Sequence, residues 1–237
     1  MTRGAATLHR AFLLHRRPYS NHSLLVECFT AEAGRFPAIA RGVKSGKGKG
    51  LGLLQPFVPL LIGWSGRGEV QSLNRFESAV APLTLQGKAL YCGFYLNELL
   101  MRLLQREDPC ERLFEQYSET LAQMAGGQRV EVVLRRFEIA LLKELGYGLI
   151  LDRDIESGAL LVAEKHYRYL LEQGPAPATG DEPHAVRGST LLALNGEGTL
   201  DELGLREARE LTRRVLSRYL GDKPLKSREL FRSWSKP

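Results

Sequence analysis

The chain has 237 residues, 43% of them hydrophobic and 25% charged, which allows one large or two small packed cores and excludes wholesale disorder. Its longest nearly apolar stretch, Leu53 to Trp64, spans about 12 residues and contains Pro56 and Pro59; a membrane-spanning helix needs roughly 20. The net charge of +6 is unevenly spread: +7 over residues 1–80 (11 Lys/Arg, 4 Asp/Glu), −7 over 81–205 (12 against 19) and +6 over 206–237 (10 against 4).

In chain order, five short apolar or β-branched runs come first: Ala11–His15, Ser23–Phe29, Phe36–Val43, Phe57–Trp64 and Glu69–Phe76. Turn signals separate them, including Arg17-Pro18-Tyr19-Ser20-Asn21, Ala33-Gly34 and Ser65-Gly66-Arg67-Gly68. Five strands in about 70 residues predict a small closed or nearly closed barrel, because an open sheet would leave edges exposed. The stretch Arg41 to Gly50 has no large apolar side chain beyond Val43 and is expected to be a basic loop. After Pro82 the period changes from 2 to 3.6. Helices are predicted over Leu85–Glu107, Glu111–Ala125 and Arg129–Leu145, joined by short links into a bundle. Between 150 and 204 the pattern is irregular, with Gly174 to Asp181 read as a loop. A basic helix over Leu205–Leu220 and a short segment, Lys226–Trp234, close the chain. The fold class is thus α+β and multi-domain: a barrel over 1–80 and a helical domain over 81–237.

Several chemistries find no support. The glycines near Gly46 miss the phosphate-loop spacing, because the sixth position counted from Gly42 is Lys47, and Leu51 breaks the dinucleotide pattern. His9, His15, His22, His166 and His184 have no metal-motif companion, and Cys28, Cys92 and Cys110 are too widely spaced for one. Odd in number, the cysteines point to reduced thiols in a cytosolic protein. No G-x-S-x-G elbow marks a nucleophile, although a triad assembled only in space stays open. No metal, cofactor or catalytic residue is therefore expected, nor a secretory leader in the first 18 residues.

What the sequence offers is clustered positive charge, which attracts polyanions. The candidate contact cations among the 11 of the first 80 residues are Arg16, Arg17, Arg35, Arg41, Lys44, Lys47, Lys49, Arg67 and Arg75; Tyr19, Phe36 and Trp64 are candidate stacking platforms. Most aromatics of so small a barrel are needed in its core. In the third helix, Val132, Arg135, Ile139 and Leu142 form a line beside the apolar stripe of Val130, Val133, Leu134, Phe137 and Leu141. Arg135 in such a line calls for an anionic partner, either an acidic peptide or an internal glutamate.

Motifs along nearly the whole chain resemble the bacterial recombination-mediator family RecO. They are Ala11 to Ser20, Phe29-Thr30 with Gly34-Arg35, Ala40-Arg41-Gly42, Leu54-Gln55-Pro56-Phe57, Gly66-Arg67-Gly68-Glu69, Tyr95-Leu96-Asn97-Glu98-Leu99, Leu134-Arg135-Arg136-Phe137-Glu138, Leu145 to Gly148 and Lys223 to Leu230. The resemblance implies an N-terminal oligonucleotide-binding (OB) barrel and a helical domain. It also implies binding to single- and double-stranded DNA, strand annealing, and loading of RecA, with RecR and RecF, onto DNA coated by single-stranded-DNA-binding protein. The acidic tail of that coating protein is expected at Arg135, with Val132, Ile139 and Leu142 as apolar lining. The place of action implied is the cytoplasm, at the nucleoid. Some members carry a four-cysteine zinc site in the C-terminal region; this chain has no cysteine there. Two rivals stay open: a protein–protein scaffold whose DNA binding is incidental, and a nuclease, for which residues 1–80 supply only Glu27, Glu32, Glu69 and Glu77.

Overall fold

The computed structural model describes residues 7–44 and 49–229. Five strands, β1 (His9–Pro18), β2 (Leu24–Thr30), β3 (Gly34–Ala40), β4 (Leu60–Ser65) and β5 (Gln71–Ser78), close into a barrel of order β1-β2-β3-β5-β4. All pairings are antiparallel except β3 with β5. A one-turn helix, α1 (Lys49–Leu53), lies between β3 and β4 and begins in the last two residues of the segment expected to be loop. The long helices are α2 (Gly87–Leu103), α3 (Glu111–Ala125), α4 (Val130–Glu144) and α6 (Glu202–Leu220), with a short α5 (Gly188–Leu194). Residues 226–229 form a last helical turn; the rest of the segment expected to run to Trp234 lies outside the described residues.

The barrel interior is filled by Ala11, Leu13, Leu24, Val26, Cys28, Phe36, Ala38, Ala40, Leu60, Ile62 and Leu73. Phe12 and Phe29 alternate with these residues and point outward, yet they are buried too. They meet Phe114 and Tyr117 of α3 at ring distances of 5.1–5.9 Å. Strands β1 and β2 are therefore covered on both faces, which is why Ala11-Phe12-Leu13-Leu14 reads as a continuous apolar run. The register of β1 against β2 slips between Leu13 and His15, a bulge at Leu14. Leu14 itself has no partner in that register, and its carbonyl is buried. Asn97 of α2 supplies the donor, Nδ2 to Leu14 O at 2.9 Å, and accepts the Tyr117 hydroxyl on Oδ1 at 2.5 Å.

By compactness the chain forms two units: the part up to Gly127 together with the segment from Pro224, and Gln128–Lys223. The first holds the barrel, α2 and α3. The bundle expected from α2, α3 and α4 is thus not the grouping found: α3 packs its stripe on the barrel, while α4 packs with α5 and α6 in the second unit. An amphipathic stripe states that a face is buried, not against which element. In the first unit Glu98 of α2 accepts from the backbone N–H groups of Lys226 (2.9 Å) and Ser227 (2.8 Å), capping the final turn.

The second unit also contains a three-stranded antiparallel sheet within the irregular segment: β6 (His166–Leu170), β7 (Gly174–Ala178) and β8 (Ala185–Arg187), in the order β7-β6-β8. On β6 the buried Tyr167 and Tyr169 flank the exposed Arg168, a period-2 signal. The stretch from Gly174, read as a loop, pairs as an edge strand, where Pro175 and Pro177 lose no ladder bond that matters.

Gly34 makes the β2–β3 turn at φ +61°, and a Cβ there would stand 2.0 Å from the Asp108 carbonyl oxygen. Gly34→Ala is expected to prevent close docking of the turn and to lower the urea midpoint sharply. Asn97→Leu removes the donor to Leu14 and is expected to cost about 3 kcal/mol in equilibrium denaturation, against about 1 for Tyr117→Phe.

Candidate nucleic-acid interface

The topology fixes where the barrel can present charge. Strand β3 is flanked by β2 and β5, and Leu24 pairs with Ala40 while Gln71 pairs with Ala38. Because β5 runs parallel to β3, the loop entering β5 (66–70) lies back toward the start of β3, whereas the loop entering β2 (19–23) lies just beyond its last residue. Arg41 follows directly, and its turn is tied to the first loop: Lys44 N donates to His22 O (3.2 Å) and Lys44 Nζ to Ser20 O (3.1 Å). Strands β2 and β3 with these two loops form the ligand side of OB barrels in general.

The expected cations divide into two groups. Arg17, Arg41 and Arg67 are exposed and have no hydrogen-bond or carboxylate partner among the described residues; Lys44 is also exposed. Arg16 is half-buried and donates from Nη1 to the carbonyls of Leu51 (3.2 Å) and Leu54 (3.0 Å), closing the C-terminal end of α1. Arg35 turns inward. It pairs with Glu27 and donates from Nη2 to Leu104 O at 2.9 Å, while Arg106 stands 3.7 Å from the same glutamate. Its charge balances a buried carboxylate and is not presented on the surface. Arg75 pairs with Glu77 at 3.1 Å. Lys47 lies outside the described residues, and Lys49 opens α1.

Of the three aromatics, Tyr19 is 60% exposed in the loop entering β2, whereas Phe36 is 1% exposed and belongs to the barrel core. Trp64 is half-buried against that core, its ring 4.7 Å from Phe36 and 4.9 Å from His9. Cys28 faces the interior, and burial pushes its thiol well above the ordinary range, so it stays protonated and inert. No group of three or more His, Cys, Asp or Glu among the described residues is placed to hold a metal ion, and no described helix is long and apolar enough to cross a membrane.

On α4, Val132 and Ile139 are half-buried, but Leu142 is fully buried and Arg135 only 8% exposed. Arg135 donates to Glu138 (2.8 Å) and to the Thr212 hydroxyl of α6 (2.8 Å). The anion that its burial called for is the internal glutamate one turn along the same helix. Sequence spacing could not separate that pairing from an external one.

A closed barrel of OB topology, with exposed cations on the loops around β3 and a helical region following, defines an oligonucleotide-binding-barrel protein. Two family models match it: Recombination protein O N terminal over residues 5–81 and Recombination protein O C terminal over 85–229. The chain belongs to this RecO family. It is 50% identical over 228 residues to the DNA repair protein RecO of Methylococcus capsulatus (96% of this chain, 94% of that one). It is 47% identical over 231 residues to that of Coxiella burnetii (97% and 99%), and 49% over 227 to that of Alkalilimnicola ehrlichii (94% and 89%).

If Arg35 serves the fold, Arg35→Ala should destabilise the protein by about 3 kcal/mol, because it strips Glu27 of its closest cation. The salt dependence of oligonucleotide binding by the folded fraction should not change.

Proposed function

We propose that this chain is a non-catalytic mediator of DNA repair and homologous recombination. It binds single- and double-stranded DNA and anneals complementary strands. With RecR, and with RecF and RecA engaged indirectly, it helps replace single-stranded-DNA-binding protein by RecA, acting in the cytoplasm at the nucleoid. Residues 1–80 form the nucleic-acid module and 81–237 the partner-binding region. The observation that carries this reading is the set of exposed cations on and beside the loops of the ligand side of the barrel, Arg17, Arg41 and Lys44 at the end of β3 and Arg67 in the loop entering β5, with no carboxylate set against Arg17, Arg41 or Arg67 among the described residues.

The physics requires no chemical step. Guanidinium and ammonium groups on loops displace counterions from a phosphate backbone, and this release supplies the affinity. Tyr19, exposed beside them, offers a ring face for a base. Neutralised strands repel one another less, and strands held on one protein meet at raised effective concentration. Docking on the acidic tail of the coating protein would deliver the barrel to covered DNA. We place that docking along α4, with the half-buried Val132 and Ile139 as its accessible part, over the buried Leu142 and beside Arg135, whose own charge is met by Glu138.

Annealing of oligonucleotides coated by single-stranded-DNA-binding protein, with and without its tail, tests the whole reading; a protein–protein scaffold would show no annealing. The triple variant Arg17→Ala/Arg41→Ala/Arg67→Ala is expected to flatten the logarithmic salt slope of single-strand binding by about 2, at roughly 0.7 per phosphate contact, with an unchanged melting temperature. An unchanged slope would remove these loops from the interface. For the tail, Ile139→Asp should weaken peptide binding by about tenfold and leave bare-strand binding intact. Parallel loss of both would show that α4 had been misassigned.

A further inference from the structure

Helix α6 carries five arginines, and the structure sorts them by what each one meets. Arg214 donates to the Tyr169 carbonyl at 3.5 Å, and Arg218 pairs with Glu172 at 2.8 Å. Arg206, Arg209 and Arg213 are exposed, and no hydrogen bond or ion pair engages their guanidiniums among the described residues. Their spacing of three and four residues sets them on one side of the helix, flanking the buried face of Leu205, Ala208, Leu211, Thr212, Val215 and Leu216. At 1.5 Å rise per residue the three guanidiniums spread over about 10 Å.

The acidic neighbours on that side are already engaged. Glu202 pairs with Arg129, and Glu210 meets Nδ1 of His184. Attractive partners at i,i+4 (Glu202 to Arg206) and i,i+3 (Glu210 to Arg213) were therefore within reach, yet those carboxylates are directed elsewhere. The stripe keeps an outward positive field that contributes nothing visible to packing. Leu203, at the N-terminal end, is the large apolar side chain exposed beside it. The cavity beside the stripe, lined in part by Ala185, Val186, Leu203 and Leu211, reaches Arg206 but not Arg209 or Arg213, and a row of guanidiniums that runs on past a pocket suits a repeating charge better than an acidic peptide anchored in one.

We propose that Arg206, Arg209 and Arg213 form a second contact for a nucleic-acid backbone, separate from the barrel, that holds a second strand. About 10 Å corresponds to roughly three nucleotides of one duplex strand at ~3.4 Å each. The inference rests on the reading of the barrel as a strand-binding module and adds the residues that hold the other strand.

The test uses the full chain with two non-complementary oligonucleotides, one labelled with a fluorescence donor and the other with an acceptor. The wild-type protein is expected to bring both together and give energy transfer. Arg206→Ala/Arg209→Ala/Arg213→Ala should bind the first strand as before, with its melting temperature unchanged, lose transfer to background and anneal slowly. Arg17→Ala/Arg41→Ala/Arg67→Ala, with the stripe intact, should keep a weaker binding event whose salt slope is about 2. Transfer retained by the stripe variant overturns the inference, since the second strand would then be held elsewhere. So does a stripe variant that keeps both strands but loses binding to poly-glutamate, which would assign the face to acidic peptides. A wild-type chain that binds one strand and never two overturns this inference alone; one that binds no strand overturns the barrel reading with it.

Discussion

A carbonyl out of register governs the first unit. The bulge at Leu14 lets β1 bend around a small barrel, and it leaves a backbone acceptor facing a region from which water is excluded. Such a group costs several times more unpaired than a surface group would. Asn97 meets it from α2 and is in turn held by Tyr117 from α3, so one polar chain sets the position of two helices against one strand. The aromatic contacts of Phe12 and Phe29 supply area, which is tolerant of small shifts. The Asn97 bonds supply direction, which is not.

The same rule sorts the arginines. A guanidinium removed from water must find a carboxylate or several carbonyls, and Arg35 and Arg135 have each found a glutamate within their own unit. Arg187 behaves likewise, joining Asp201 and Glu207; its hydrogen bond holds the Asp201 carboxyl down at about 2 and keeps the N-cap of α6 charged. The arginines left over are the ones with nothing to balance inside the protein: Arg17, Arg41 and Arg67 on the barrel, and Arg206, Arg209 and Arg213 on α6. Charge that stabilises the fold and charge left for a polyanion are thus told apart by partnership, not by position in the sequence.

These two sets explain why the uneven charge profile was informative about function and imprecise about residues. The profile sums over a segment, and a sum cannot show that Arg35 is neutralised by Glu27 eight residues earlier on the neighbouring strand. Nor can it show that Arg16 caps a one-turn helix. Exposed, unpaired cations act at long range and add together; paired ones act within a few ångströms and cancel.

Taken alone, the sequence determined the strand-rich first third, the helical character of the region after Pro82, the boundaries of α3 and, through its motifs, the family. Local signals carry all of these: period 2 against period 3.6, glycine and proline turns, and short runs in a set order. The edge strand at Gly174–Ala178 escaped because prolines argue against a strand until its edge position is known. What only the tertiary structure decided is which buried face meets which, and which charge meets which. The choice between α3 on the barrel and α3 on α4, or between Glu138 and an outside anion for Arg135, depends on contacts between residues distant or ambiguous along the chain. Burial energy is nearly indifferent to the identity of the covering surface, so periodicity records that a face is covered and leaves its partner to be settled by packing in three dimensions.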